Sequence, residues 1–238
     1  MWAGVFPAVT TKFTPDDRLD HAEMERCFSL QMEAGCDGII VCGSLGEGPM
    51  LSHDEKIEVL KTAQKVAGTK PVLLTVNEPG TREAASIARR AAKEGANGLM
   101  VVPSPIYHTN AEETVAALRA VAEAGDLPVM IYSNRLAYRV GWVAGLVTAF
   151  PRETVAIYQL MRKGRREEAL KIYRWFRPLL DLDVSTYLVQ NIKLAEVLAI
   201  GTNDRVRMPR QPLSGERRKA VEKIVRDALA ARPELPAF

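Results

Sequence analysis

PVMIYSNRLAYRVGWVAGLVTAF, residues 128–150, is the stretch on which the fold turns. It contains two strand-like apolar runs, PVMIYSN and GWVAGLVTAF, joined only by RLAYRV. Parallel strands need a crossover of a dozen or more residues between them, usually a helix. None fits between Asn134 and Gly141, so a regular pattern breaks off at Val140–Gly141.

Upstream the pattern is clear. GVFPAVTT, DGIIVCGS, PVLLTVN and GLMVVPS are each followed by a polar turn and an amphipathic stretch, and PVMIYSN is the fifth of the series. These runs are continuously apolar rather than alternating, as strands covered on both faces read. Ser52 with Glu55, and Asn110 with Glu113, form capping boxes that predict helix starts. Gly35, Gly68, Gly95 and Gly125 fall at or near helix ends, shortly before the next strand. Five units of roughly thirty residues fit either a βα barrel or a doubly wound sheet. After Pro151 the chain reads as helices only: ETVAIYQLMRKG, REEALKIYRWFRPLL, VSTYLVQNIKLAEVLAIG and SGERRKAVEKIVRDALAARP, with RMPRQPL as an extended connector. The expected organisation is a barrel over residues 1–151 and a helical segment over 152–238 that packs on it and serves assembly.

A chain of 238 residues suits a single α/β barrel. Residues 1–151 hold 14 Lys/Arg against 18 Asp/Glu, and 152–238 hold 18 against 11. The basic charges of the second part are interleaved with Glu and Asp, the pattern of solvated helix faces rather than a nucleic-acid surface. Cys27, Cys36 and Cys42 make no CxxC pair, and His21, His53 and His108 are scattered, so reduced thiols and no metal centre are expected. No apolar run approaches membrane length, and the first residues do not read as a secretory signal. A cytoplasmic protein without membrane or nucleic-acid partners is expected.

Active sites of α/β proteins lie at the C-terminal ends of the strands. Those ends carry Thr10-Thr11, Gly43-Ser44-Leu45-Gly46-Glu47, Asn77-Glu78, Ser104 with Tyr107, and Tyr132-Ser133-Asn134. A turn with two glycines, a hydroxyl and free backbone N–H groups is a natural carboxylate cradle, though it serves equally as a tight turn without a ligand. A phenol held near a reacting group transfers protons, yet isolated strand-end tyrosines are more often rim or core aromatics.

Taken together and in order, GSLGE after the second strand, PxxY after the fourth, Tyr-Ser-Asn ending the fifth, GWVAGLVTAFP and the ending QNIKLAEVLAIGTNDRVRMPRQPLSGERR resemble the dihydrodipicolinate synthase and N-acetylneuraminate lyase family. The resemblance implies an eight-stranded class I aldolase-type barrel that forms a Schiff base between a lysine and a 2-oxo acid, without a cofactor, as a homodimer or homotetramer. It implies that Thr10, Gly43, Ser44 and Leu45 bind the substrate and that Tyr132 transfers a proton. Tyr107 would reach toward a neighbouring subunit's site, and Trp142, Val143 and Ala144 would line the pocket. Leu45 stands where dihydrodipicolinate-forming members have a second threonine, and Ala137 where they have an arginine, which argues against that product. GVFPAVTTKF, YSNRLAYRV, FPRETVA and LDVSTYLVQNIKL look most like the branch that deaminates 1-pyrroline-4-hydroxy-2-carboxylate in hydroxyproline breakdown. Another 2-oxo-acid aldolase or dehydratase of the family is the alternative.

The resemblance also gives the break its meaning. In the family, the fifth strand is followed by a helix and a sixth strand ending in the Schiff-base lysine, then by a seventh unit. Here Val140 runs straight into what reads as the eighth strand, so roughly sixty residues are missing. The six residues between Asn134 and Gly141 span at most roughly 20 Å when extended, about one strand length. Lys12, Lys70, Lys93 and Lys163 fall at turns or helix ends and Lys193 on a late helix; Lys12 is expected to be a surface ammonium. The expected chain is therefore a barrel lacking strands 6 and 7, and a non-catalytic relative that keeps the carboxylate cradle is the rival reading.

Overall fold

The computed structural model describes residues 2–103, 110–132 and 141–237. Strands β1 (Gly4–Pro7), β2 (Ile39–Val41), β3 (Val72–Val76), β4 (Gly98–Val101), β5 (Val129–Ile131) and β6 (Gly141–Ala144) are interleaved with α1 (His21–Glu33), α2 (His53–Ala67), α3 (Thr81–Lys93) and α4 (Ala111–Gly125). After β6 come α5 (Pro151–Arg162), α6 (Arg166–Leu180), α7 (Leu188–Ile200) and α8 (Gly215–Ala230). The run GWVAGLVTAF forms a strand only over its first four residues; Leu146–Thr148 then make a single 3-10 turn, and α5 opens at Pro151 with proline at its first position.

Every pairing between the described strands is parallel. β2, β3, β4 and β5 form one sheet in that order, and β1 pairs with β6 in register Gly4↔Gly141 through Pro7↔Ala144. A bridge between Ala8 and Ile40, with the Val9 N–H donating to the Ile40 carbonyl at 3.0 Å, joins the two sheets. The resulting arc runs β6-β1-β2-β3-β4-β5, and among the described residues no pairing links β5 to β6. The six strands thus do not close into a smaller barrel, which would demand a different tilt and shear. The run after the break takes the place beside β1 that the last strand of an eight-stranded barrel takes.

Alternation along the strands sorts the core. Phe6, Ile40, Leu73 and Met100 point inward, with Met130 and Tyr132 packed beside them. Ile39, Val41, Val72, Leu74, Val76, Leu99 and Val101 point outward against Met24 and Phe28 of α1, Ile57 and Leu60 of α2, and Ile87 and Ala91 of α3. Both capping boxes form as their sequences require: Ser52 accepts from the Glu55 N–H at 3.2 Å, and Asn110 from the Glu113 N–H at 2.9 Å. Gly68 caps α2 with φ +60°, whereas α4 runs through Gly125 and ends on Asp126 in the left-handed region.

Continuous apolarity predicts burial on both faces, and β1 to β4 are buried throughout. β5 departs from this: Val129 and Met130 are half-buried and Ile131 is 56% exposed. Helix α4 buries only Val121 and Gly125, and its Val115 is 52% exposed. The helices after β6 form a second core around Leu146, Phe150, Ile172, Phe176, Leu179, Ile192 and Val225. Helix α5 covers the outside of β1, with Val155 packing against Val5 and Cys36. Cys27, Cys36 and Cys42 are all buried and in no disulfide, and burial pushes the Cys36 and Cys42 thiols up to about 12.

Candidate active site

The loop after β2 is built under constraint. Cys42 and Glu47, on either side of Gly43–Gly46, both hold positive φ, +59° and +56°. Such conformations cost about 1–3 kcal/mol each and persist only where surroundings over-determine them. Here the surroundings do. The Gly48 N–H donates to the Gly43 carbonyl at 3.0 Å, Thr11 Oγ1 to the Gly46 carbonyl at 2.6 Å, and Asn77 Nδ2 to the Cys42 carbonyl at 3.2 Å. Position 48 must be glycine, because a Cβ there would stand 1.9 Å from the Cys42 carbonyl oxygen.

Two fully buried ion pairs tie the strand-end loops to α7. Lys193 Nζ donates to Glu47 Oε1 at 2.6 Å and to the Arg205 carbonyl at 2.6 Å, while the Arg207 N–H donates to Glu47 Oε2 at 2.9 Å. One turn along, Glu196 accepts from Lys12 Nζ at 2.8 Å and from Thr10 Oγ1 at 3.0 Å. Lys193 and Glu196 lie three apart on one helix face, so α7 clamps two strand ends at once. Burial pulls the Lys193 ammonium down to about 8 despite the opposing pull of Glu47. Lys12 is not the surface ammonium that its position after the first strand suggests: it is 0% exposed. The reason is Glu196, a partner 184 residues away that no local reading supplies.

Above this clamp a cavity of about 690 Å³ opens at the C-terminal ends of the strands, within the range of small-molecule sites. Five of the residues chosen from sequence line it together: Gly43, Ser44, Leu45, Tyr132 and Ala144. Ser44 is exposed toward it, and the N–H groups of Ser44 and Leu45 donate to no protein acceptor among the described residues. Leu45 turns its side chain into the core around Leu146, so it offers the cavity a backbone N–H and no hydroxyl. Thr10 lies beneath, 1% exposed and donating to Glu196, rather than on the cavity wall. Trp142 and Val143 are placed in β6 beside Val5 and Phe6; their side chains, like Tyr107, Ser104, Ser133, Asn134 and Ala137, lie outside the described residues.

Two residues enter that sequence reading had not chosen. Asp183, between α6 and α7, lines the cavity; burial raises its pKa, and the Gly145 N–H works against that rise. Tyr132 titrates higher than a free phenol, first through burial and then through the Asp183 charge. Thr75 is the second. Its hydroxyl is buried without a partner among the described residues, 3.6 Å from where a Cβ on Gly43 would stand. A lone hydroxyl inside the apolar run VLLTV marked Thr75 in the sequence, whereas Asp183 carries no local signal of a site more than fifty residues removed from β5. No lysine lines the cavity among the described residues.

The comparisons with known proteins bear on the family and the fold. The model of the family described as "Dihydrodipicolinate synthetase family" matches residues 1–137. A 4-hydroxy-tetrahydrodipicolinate synthase of Natronomonas pharaonis is 39% identical over 133 residues, 56% of this chain and 45% of that protein. One from Salinibacter ruber is 33% identical over 135 residues, 56% and 44%. The matched part of the chain thus spans less than half the length of these curated relatives. Solved structures match across the break. A prophage protein of the dihydrodipicolinic acid synthase family from E. coli K12, in complex with pyruvate, gives a TM-score of 0.87 at 19% identity, covering 96% of this chain and 99% of that one. The 4-hydroxy-tetrahydrodipicolinate synthase of Methylacidiphilum fumariolicum SolV gives 0.85 at 22% identity, covering 97% and 98%. By the family match, and with a fold to suit, this chain belongs to the dihydrodipicolinate synthetase family.

Proposed function

We propose that this chain is a Schiff-base-class lyase or deaminase of its family whose cavity accepts a small 2-oxo or cyclic imino acid. The observation that carries the reading is the convergence of Gly43, Ser44, Leu45 and Tyr132 on one cavity at the strand ends. The unused N–H groups of Ser44 and Leu45, with the Ser44 hydroxyl, receive the substrate carboxylate. Tyr132, kept protonated by burial, donates to and accepts from the atom next to that carboxylate. No cofactor enters this scheme.

For the substrate we favour 1-pyrroline-4-hydroxy-2-carboxylate, whose deamination takes up one water and releases ammonia and 2-oxoglutarate semialdehyde. Leu45 supports this choice over dihydrodipicolinate synthesis, the activity that the curated relatives' name implies, because it has no hydroxyl to relay a proton. Ammonia release from that compound, followed with a coupled assay, tests the activity; pyruvate binding by ligand-observed NMR, weakened about tenfold by Ser44→Pro, tests the cradle. A homodimer or homotetramer, in a cytoplasmic setting, goes with this reading.

A second reading is favoured by one specific observation. Lys12 and Lys193 are sealed at 0% exposure in ion pairs, and the described cavity wall offers no amine. In the family the nucleophilic lysine ends the sixth strand, and here the strand after β5 is the one that pairs with β1. On this reading the 238-residue chain binds its carboxylate ligand without turning it over. Saturable binding with no ammonia released supports this reading and counts against the first.

A further inference from the structure

We propose that Asp183 is a specificity-determining residue, holding a cationic nitrogen of a ligand whose carboxylate rests on the Ser44 and Leu45 amides. The inference rests on the carboxylate cradle described above and adds the other end of the ligand.

Position comes first. Asp183 lines the same cavity as Gly43, Ser44 and Tyr132. Gly145, just after β6, adjoins both residues: a Cβ there would lie 2.7 Å from Leu45 Cδ2 and 3.4 Å from Asp183 Oδ1. Asp183 Oδ1 thus stands beside Leu45, the residue whose amide N–H is half of the proposed cradle, on the wall of one cavity.

Charge comes second. Asp183 is the only charged residue among those described on the cavity wall. It has no ion-pair partner among the described residues, whereas its neighbour Asp181 pairs with Arg177 at 3.1 Å. A partly buried carboxylate without a counter-charge is costly, and a cation brought into the cavity relieves that cost. A plain 2-oxo acid brings only a second negative charge. A ligand with a cationic nitrogen beside its carboxylate, such as a cyclic iminium acid, meets the amides with one end and Asp183 with the other. Burial raises the Asp183 pKa, and the Asp183 charge in turn raises that of Tyr132, so the carboxylate is felt at the phenol on the same cavity wall.

The test compares stable probes on the 238-residue chain at pH 7.5 by isothermal titration: L-proline, cyclopentanecarboxylate of the same shape without nitrogen, and pyruvate. L-Proline is expected to bind at least tenfold more tightly than cyclopentanecarboxylate. Asp183→Asn should bring the two within twofold while leaving cyclopentanecarboxylate as tight or tighter. Equal affinity of the two ring acids for the unmodified chain overturns the assignment without recourse to any variant, and so does an undiminished preference in a folded Asp183→Asn protein. If the two nitrogen-free acids bind and proline gains nothing, only the role of Asp183 falls; if none of the three binds, the carboxylate cradle falls with it.

Discussion

On one flank of the barrel Val41, Leu74 and Leu99 are sealed between the sheet and helices α1 to α3, each 0% exposed. On the other flank Ile131 of β5 is 56% exposed and Val115 of α4 52%. The strands of both flanks are equally apolar, VLLTV in β3 and PVMIY through β5. What differs is the neighbour. β3 has strands on both sides and a helix over its outer face, while β5 pairs only with β4 among the described residues. Apolar composition makes a strand, but the next unit in the chain decides whether that strand is buried. The contrast also divides the proposed chemistry: the closed flank carries the loop proposed as carboxylate cradle and its clamp, and the open flank is where the resemblance would place a nucleophilic lysine.

The clamp offers the harshest way to break this contrast. Glu47→Gln leaves the Lys193 ammonium buried beside a neutral amide, and losing one partner of a buried pair costs about 3–5 kcal/mol. Chemical denaturation should show a loss of that order; a loss below about 1 kcal/mol would mean that the closed flank is not held as described. Next come matched truncations. Leu74→Ala should cost about 2–5 kcal/mol and Ile131→Ala less than about 1, since the side chain at 131 already faces water. Equal costs would show that the flank at β5 is covered in solution.

A smaller effect follows from Lys193. Its folded value is about 8 against 10.5 ordinarily, so between those values the unfolded chain binds the proton and the folded chain does not. Stability therefore rises with pH across that window, and the contribution fades as pH falls through 8. Measured against Lys193→Met, the native chain should gain stability from pH 8 to 10.5. A flat difference would place the ammonium in contact with water.

Much of this was legible in the sequence because its signals are local. The strands, the capping boxes at Ser52 and Asn110, the helices after Pro151 and the loop Gly43–Leu45 at the cavity are all read from neighbouring residues. The place of β6 beside β1 also followed, since the family resemblance made the run after the break the eighth strand of a barrel. What escaped depends on distant partners. Lys12 and Lys193 looked like ordinary helix-end and surface lysines, and only the return of α7 over the strand ends buries them against Glu196 and Glu47. Asp183 escaped for the same reason: its place on the cavity wall is set by how α6 and α7 pack. Exposure of Ile131 was hidden in a strand whose composition matches its buried neighbours.

The two proposed readings part on one point: on the second, the substrate-holding half of a Schiff-base site is built here and the described cavity wall offers no lysine for the covalent half. Borohydride trapping with pyruvate, read by intact mass on the 238-residue chain at ligand concentrations where NMR shows binding, tests it most directly. That second reading predicts binding with an unchanged protein mass. A single stoichiometric reduced adduct, mapped to Lys12, Lys193 or any other lysine, would contradict it.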